Sequence, residues 1–342
     1  MKPRYSVLDL APVRQGGSIA ETFHNSVDLA RHAEQWGFTR YWLAEHHNMP
    51  GIASAATSVL IGHIAGNTES IRVGSGGIML PNHAPLLIAE QFGTLETLYP
   101  GRIDLGLGRA PGSDGLTARA LRRTLHQTGD DFPALVEELL SYFQPLSPDR
   151  HVQAVPGAGL SIPVWLLGSS TFSAQLAARL GLPFAFASHF APELLHQAIR
   201  LYRAQFQPSA RLATPYVIVG APVIAAPTDA EAERLATSPK QRFLKLIRGE
   251  PIYAVPPVDS MDGLWSPAER DLVESKFAAA IIGGPATIAA RLATFLAATE
   301  ADELIFTSDA FRHQDRLRSF EIVAAAFAQL PAARPPYTEV PA

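Results

Sequence analysis

The stretch IRVGSGGIMLPNHAPLLIAEQFGTLETLYPGRIDLGLG, residues 71–108, places an amphipathic segment between two short apolar runs. The runs 71–80 and 103–108 lack the alternation of apolar and polar residues that marks a strand with one solvated face. Residues 85–99 between them have the pattern of a helix. Two strands buried on both faces and joined through a helix predict a parallel β–α–β unit.

The same alternation continues in both directions along the chain. Further strands are predicted at 5–10, 41–45, 164–169, 184–188, 216–226 and 303–308, and further helices at 19–37, 53–66, 130–144, 172–181, 192–206, 285–299 and 313–330. Eight strand–helix pairs without an obvious reversal favour a closed barrel over an open doubly wound sheet. No G-x-G-x-x-G follows the first strand, which weakens a dinucleotide-binding fold. The sequence therefore predicts the α/β class and a (β/α)8 TIM barrel.

A long insertion separates the seventh predicted strand from the 285–299 helix. It covers residues 227–284, and a loop of this length acts as a lid or carries short helices of its own. We expect one barrel domain over residues 1–330 that includes this insertion. The proline-rich tail, residues 331–342, is expected to be loose.

Composition narrows the class of protein. With 47% hydrophobic and 18% charged residues the chain can bury a large core, and the net charge of -4 gives no general attraction to nucleic acid or to an anionic membrane. The absence of cysteine excludes disulfides, thiolate metal sites and a cysteine nucleophile. We find neither a signal-type apolar segment nor a run of about 18 apolar residues, so a cytoplasmic protein is expected.

Two adjacent histidines, His46 and His47, follow the second predicted strand in YWLAEHHNMPGIAS, residues 41–54. The active site of a (β/α)8 barrel is built from the loops at this end of the strands. Adjacent residues of an extended segment point in opposite directions, so the pair is poorly placed to bind one ion and we expect no metal site. Two alternatives remain, an ordinary polar loop and a general acid or base at the barrel mouth.

Small polar residues follow the fifth predicted strand, where VWLLGSSTFSAQLAARLG (164–181) enters a helix. Free backbone N–H groups there, with the hydroxyls of Ser169 and Ser170, could hold an anion, although simple N-capping explains the same residues. Arg109 ends the neighbouring strand, and its guanidinium favours a phosphate. The pair Gly76 and Gly77 ends the third strand, where either a β-bulge or close backbone approach to a flat ligand would require glycine.

Three stretches together resemble the bacterial luciferase-like flavin monooxygenases. They are AEHHNMPGIAS (44–54), RVGSGGIMLPNHAPLLIAEQFGTLETLYPGRIDLGLGRAPGSD (72–114) and WLLGSSTFSAQLAARLGLPFAFASHF (165–190). The resemblance extends over nearly the whole chain and is vague only in the insertion. It implies a barrel that binds reduced FMN supplied by a separate flavin reductase. The family reacts this flavin with O2 through a C4a-(hydro)peroxyflavin and oxidises a small organic substrate.

The resemblance also implies roles for individual residues. His46 matches the catalytic histidine beside the flavin ring. The implied cofactor-binding residues are Glu45, Gly76, Gly77, Arg109, Gly168, Ser169, Ser170, Ser188 and His189. Within that set, Arg109 matches the arginine that binds the flavin phosphate, and Gly76–Gly77 occupies the place of a non-prolyl cis peptide. No metal is implied.

The sequence departs from true luciferase α-chains, because the turn after the fifth strand lacks their acidic residue, and bioluminescence is not expected. Two other functions stay open, an F420-dependent reductase or dehydrogenase and a non-catalytic flavin-binding protein. The family analogy predicts a homodimer, with neither nucleic acid nor membrane as a partner. Substrate selection is expected from the insertion, with Phe243, Tyr253 and Trp265 as apolar walls.

Overall fold

The computed structural model describes residues 3–110, 115–121, 131–188 and 192–330. Its strands are β1 (Arg4–Asp9), β2 (Arg40–Leu43), β3 (Arg72–Ser75), β4 (Ile78–Met79), β5 (Ile103–Gly108), β6 (Val164–Gly168), β7 (Phe184–Ala187), β8 (Val217–Ala225), β9 (Ile281–Gly283) and β10 (Glu303–Thr307). Every pairing between these strands is parallel. The expected tail at 331–342 lies outside the described residues.

The strands close into a barrel. Neighbours follow the order β10-β1-β2-β3-β5-β6-β7-β8, and β8 pairs with β10 to complete the ring. β4 continues the line of β3 against β5 after an interruption, so the two together fill one of eight positions. β9 lies outside the ring on the last residues of β8. The predicted (β/α)8 barrel is confirmed.

Helices connect the strands and cover the outside of the ring. They are α1 (Ile19–Gln35), α2 (Thr57–Ala65), α3 (Pro85–Leu98), α4 (Gly115–Ala120), α5 (Phe132–Tyr142), α6 (Thr171–Leu180), α7 (Leu195–Gln205), α8 (Asp229–Ile247), α9 (Pro267–Lys276), α10 (Pro285–Thr299) and α11 (His313–Gln329). All but α4, α8 and α9 match predicted helices within a few residues. Across the described ranges, no helix has the length and apolar character needed to cross a membrane.

Burial explains the sequence pattern of the strands. All four residues of β2 are buried, as are eight of the nine in β8, because one face packs on helices and the other on the barrel interior. Above its N-terminal end the interior is packed with apolar side chains, with Trp42 and Trp165 in edge-to-face contact at a centroid distance of 5.4 Å. The missing period-two alternation therefore reports burial on both faces.

Paired charges fill the N-terminal end of the barrel. Arg40, at the start of β2, lies 2.7 Å from a carboxylate oxygen of Asp104 and 2.8 Å from one of Glu303. Arg72 also pairs with Asp104 at 2.7 Å, and the Tyr216 hydroxyl donates to Glu303 at 2.9 Å. Asp104 and Glu303 are fully buried. Since β2 is adjacent to neither β5 nor β10, these bonds cross the interior.

The insertion is largely structured. It carries the 19-residue helix α8, the helix α9 and the strand β9, so it contains a longer helix than the sequence predicted. Its segment around Ala254 lies against the loop after β1, where Ala254 and Val13 form a backbone bond of 3.0 Å and Gln15 donates to Ala254 at 2.7 Å. The insertion thus reaches the C-terminal end of the barrel.

Candidate active site

A cavity of about 210 Å³ opens at the C-terminal ends of the strands. Eight of the residues expected from the sequence line it: Glu45, His46, Gly76, Gly77, Arg109, Gly168, Ser169 and Ser170. Apolar side chains, among them Leu8, Trp42, Met79, Leu167 and Ile305, form much of the remaining wall. The structure therefore brings together residues from four strand ends, and the two most distant of them, Glu45 and Ser170, are 125 positions apart in the sequence.

His46 faces this cavity with one ring nitrogen unpaired. Its Nδ1 is buried and has no hydrogen-bond partner among the described residues. Burial lowers the pKa of His46, the positive charge of Arg242 lowers it further, and the opposing effect of Glu45 is smaller. The imidazole is therefore neutral at neutral pH; its ring lines the cavity, while Nδ1 is buried and unsatisfied.

Glu45 is the centre of a hydrogen-bond network. Its Oε1 accepts from Nε2 of His47 at 2.7 Å and from Nε2 of His83 at 2.8 Å, while Oε2 accepts the Met79 N–H at 2.9 Å. Burial alone would raise the pKa of Glu45, but these bonds, led by the one from His83, bring its pKa below the usual value. The carboxylate is thus ionised and both histidine Nε2 atoms donate to it.

Glu45, His47 and His83 are residue types that bind metal ions, and their ligand atoms lie within 4.8 Å of one another. Ligands on a tetrahedral zinc ion, with bonds of about 2.0–2.1 Å, stand roughly 3.3 Å apart. The separations of 2.7 and 2.8 Å between the Glu45 oxygen and the two nitrogens are shorter and fit hydrogen bonds. The geometry suits a shared carboxylate acceptor better than a metal centre.

The Gly76–Gly77 peptide, between β3 and β4, is cis, as the family resemblance implies. A Cβ on Gly76 would lie 2.6 Å from Leu8 Cδ1, and a Cβ on Gly77 would lie 2.7 Å from the carbonyl oxygen of Gly106. The Glu45 N–H points to the Gly77 carbonyl at 3.4 Å. Close packing against the backbone of β5 therefore requires glycine at Gly77, whereas a Cβ at Gly76 would meet the movable end of the Leu8 side chain. The pair lines the cavity with bare backbone.

The start of α6 forms a polar seat beside Arg109. Ser170 holds the N-cap position with extended backbone, and its side chain makes no capping bond. The guanidinium carbon of Arg109 lies 4.3 Å from the ring centroid of Phe172, which is in the first turn of the helix. The helix dipole, uncapped N–H groups and an arginine meet at one point, which favours an anion over the N-capping alternative.

Of the expected cofactor-binding residues, one does not line the cavity and one lies outside the described part of the chain. Ser188 is fully buried, and its hydroxyl donates to the carbonyl of Gly220 on β8; it does not line the cavity. His189 lies outside the described residues. Among the proposed apolar walls, Phe243 and Trp265 pack against a separate apolar cluster on the insertion, and neither they nor Tyr253 line the cavity.

Two residues near the site were not singled out from the sequence. His83 comes from the turn that follows β4, in PNHAP, and its position at a strand end was the available signal. Arg242 comes from α8 in the insertion, and its guanidinium lies close enough to His46 to affect the histidine's pKa. No local pattern marks Arg242.

Comparison with known proteins matches the sequence of this chain to one family. The family model for luciferase-like monooxygenases matches residues 4–303. A luciferase-like monooxygenase of Escherichia coli (strain K12) is 57% identical over 318 residues, which cover 93% of this chain and 95% of that protein. The uncharacterized protein YvbT of Bacillus subtilis (strain 168) is 61% identical over 320 residues, with 93% and 95% covered.

Solved structures share the same fold. Apo-MsnO8 is 34% identical, with a TM-score of 0.86 over 96% of this chain and all of that chain. The oxygenating constituent of 3,6-diketocamphane monooxygenase from Pseudomonas putida, solved with FMN, is 18% identical with a TM-score of 0.72 over 98% and 100%. An F420-dependent secondary alcohol dehydrogenase is 14% identical, with a TM-score of 0.64 over 96% and 99%. The chain belongs to the luciferase-like monooxygenase family.

Proposed function

We propose that the protein is a flavin-dependent monooxygenase that uses reduced FMN and O2 to oxidise a small organic substrate. One observation carries the proposal: a single cavity joins an anion seat, a bare glycine backbone and a neutral histidine with an unpaired nitrogen. These three features match the phosphate, the flat ring and the proton chemistry of a flavin reaction. Family membership and the FMN-bound neighbour support the same conclusion.

The residues present fit FMN. Arg109, Ser169 and Ser170 would hold the phosphate at the start of α6, where the N–H groups lack a side-chain cap. Gly76 and Gly77 would lie against the ring, since no side chain stands between their backbone and the cavity. Bound reduced FMN would supply the electrons for oxygen activation.

His46 supplies the proton chemistry in this proposal. Because its imidazole is neutral and lines the cavity, it can take up a proton from a group bound there and return it later. Apolar side chains form much of the wall around it, and an apolar surrounding strengthens polar interactions inside and slows the hydrolysis of reactive species. Positioning, an apolar wall and one proton-exchanging group are the protein's own contributions.

The partners follow from the same chemistry. No dinucleotide-binding G-x-G-x-x-G follows β1, so we propose that a separate flavin reductase delivers the reduced FMN. By analogy with the family we also propose a cytoplasmic homodimer. Two further functions keep specific support. An F420-dependent reductase or dehydrogenase is consistent with the shared fold of the alcohol dehydrogenase, and a non-catalytic flavin-binding protein would use the same seat.

Oxygen uptake tests the proposal. Purified protein is supplied with FMN and a flavin reductase, and the flavin-dependent O2 consumption and product formation are followed over a panel of small organic substrates. A parallel titration with reduced F420 is followed by absorbance. Tight FMN binding with substrate-dependent O2 uptake supports the monooxygenase. Tight F420 binding without O2 uptake supports the reductase, and FMN binding without turnover on any substrate supports the flavin-binding protein.

His46→Ala gives a sharper test. Loss of a general acid or base costs roughly 10²–10⁴ in rate, whereas the phosphate seat is untouched, so we expect lower turnover at nearly unchanged FMN affinity. His24→Ala, on the exposed surface of α1, is the matched control. Lost FMN binding with intact residual turnover would assign His46 to binding instead.

A further inference from the structure

Arg242 is a buried cation that the insertion places at the edge of the site. It lies in α8, and only 6% of the residue is exposed. Its Nε donates to the Ile252 carbonyl at 2.8 Å and its Nη2 to the Gly51 carbonyl at 3.1 Å. Its Nη1 lies 3.0 Å from a carboxylate oxygen of Asp309. The guanidinium thus makes two hydrogen bonds and one ion pair with three separate segments, and the ion pair with Asp309 lacks hydrogen-bond geometry at Nη1.

These contacts join the insertion to the loop that carries His46. Gly51 follows His46 by five residues, and its carbonyl accepts from both Arg242 and the backbone N–H of Val13, the latter at 3.0 Å. The approach is close: a Cβ on Gly51 would lie 2.2 Å from the Ile252 carbonyl oxygen. The loops after β1 and β2 and the insertion therefore meet at this point, and the guanidinium lies where they meet.

We propose that Arg242 is a positioning residue for His46, which fixes the loop that carries the imidazole and holds a buried positive charge against that loop. The charge disfavours a second positive charge on the ring, so the imidazole stays unprotonated and ready to accept a proton. The catalytic consequence rests on the proposed function, whereas the electrostatic effect belongs to the protein alone. The insertion then contributes to proton transfer as well as to shaping the site.

The other charged groups around His46 act in both directions. Burial lowers its pKa most, Arg242 and His47 lower it as well, and Glu45 raises it. Glu45 and Arg109 line the cavity with His46, and the charged or titratable groups bonded behind them or to the same loop are His47, His83, Arg242 and Asp309. Asp309 is 28% exposed, so solvent screens it more than the buried guanidinium.

Histidine NMR on the protein without flavin tests the electrostatic part. The ring signals are followed from pH 4 to 9, and the signal that His46→Gln removes is assigned to His46. In Arg242→Met we expect the His46 midpoint to move to higher pH, and in Arg242→Lys, which keeps the charge, to stay near the original value. Arg248→Met removes an exposed arginine just after the same helix and should leave it unchanged.

Asp309 supplies a second variant that keeps Arg242 in place. Asp309→Asn removes the partner charge, so the His46 midpoint should move to lower pH. The double variant Arg242→Met/Asp309→Asn separates loss of the cation from exposure of an unpaired carboxylate, and its midpoint should still lie above that of the original protein. Circular dichroism and thermal melting confirm that each variant is folded.

The outcomes distinguish the electrostatic role of Arg242 from the proposed function. A His46 midpoint that is the same in folded Arg242→Met, Asp309→Asn and the original protein overturns the proposal, whatever the flavin assays give. If the midpoint moves as expected but no flavin-dependent turnover exists, the proposed function fails and the electrostatic role stands. If turnover exists, the pH–rate profile of Arg242→Met should shift in the same direction as the NMR midpoint, and Arg242→Lys should restore the original profile.

Discussion

Glu45→Gln perturbs the hydrogen-bond network behind the candidate site while keeping the size of the side chain. The native carboxylate accepts three bonds, from His47 and His83 at one oxygen and from the Met79 N–H at the other. Glutamine offers one acceptor oxygen and an NH2 group. With both histidines donating from Nε2, as in the native protein, at least one N–H donor faces another donor in the variant, and relief requires a histidine to move its proton to Nδ1.

The strength of the hydrogen bonds to Glu45 determines how much the free energy of unfolding decreases in the variant. Hydrogen bonds to charged groups contribute about 1.5–3 kcal/mol each, and the side chain is only 1% exposed, so solvent does not replace them. One bond is lost and the others lose their charge, which predicts a decrease of roughly 2–4 kcal/mol in the free energy of unfolding at pH 7. Urea denaturation measures it, with Glu137→Gln on the exposed side of α5 as a control expected within about 0.5 kcal/mol of the original protein.

The pH dependence provides an independent check of the same bonds. The pKa of Glu45 in the folded protein lies below its ordinary value of 4.5, so its contribution is fully present above that value. It is lost as the pH falls through the folded pKa. The stability difference between the original protein and Glu45→Gln should therefore shrink below about pH 4.5. A difference under about 1 kcal/mol at pH 7, or one that stays constant down to pH 3, would refute this reasoning.

Three further outcomes are expected. Arg40→Met leaves the buried Glu303 without its strongest partner, and urea denaturation should give a loss of about 3–5 kcal/mol; a loss below 1 kcal/mol would show that the network contributes little. Gly77→Ala forces a Cβ to 2.7 Å from the Gly106 carbonyl oxygen, so we expect a loss of about 1–3 kcal/mol in the free energy of unfolding. Fluorescence titration should also show weaker FMN binding. Unchanged affinity would contradict the assignment of this backbone to the flavin ring. Arg109→Met should weaken FMN binding by more than tenfold but riboflavin binding hardly at all, since only FMN carries the phosphate; equal losses for both ligands would place the arginine elsewhere.

The barrel could be predicted from the sequence because its signals are local. Burial on both faces removes the alternation in β2 and β8, and each strand is followed by a periodic helix. The rule that sites form at the C-terminal strand ends predicts that His46, Gly76 and Arg109 lie close together, and in the structure they line one cavity. The helix α8 was not predicted because it contains Pro239, and a proline inside a helical pattern argues against one continuous helix.

The contacts that orient the site could not be predicted, because they join residues far apart in sequence. The bond from His83 to Glu45 spans 38 residues and that from Arg242 to Gly51 spans 191. The direction of the Ser188 hydroxyl depends on the register between β7 and β8, which periodicity does not encode. Residue types at strand ends were predictable, whereas their hydrogen-bond partners required the three-dimensional structure.

The paired charges at the N-terminal end of the barrel have a consequence for how ligands enter and leave the protein. Arg40, Asp104 and Glu303 cross the interior beneath Trp42 and Trp165, so the described residues close the barrel at its N-terminal end. A ligand in the cavity therefore exchanges with solvent at the C-terminal end, where the loop of His46 and the insertion lie. We expect a ligand seated deep in the cavity to leave more slowly while another is bound above it. Stopped-flow release of the deeper ligand should slow when the upper one is in excess.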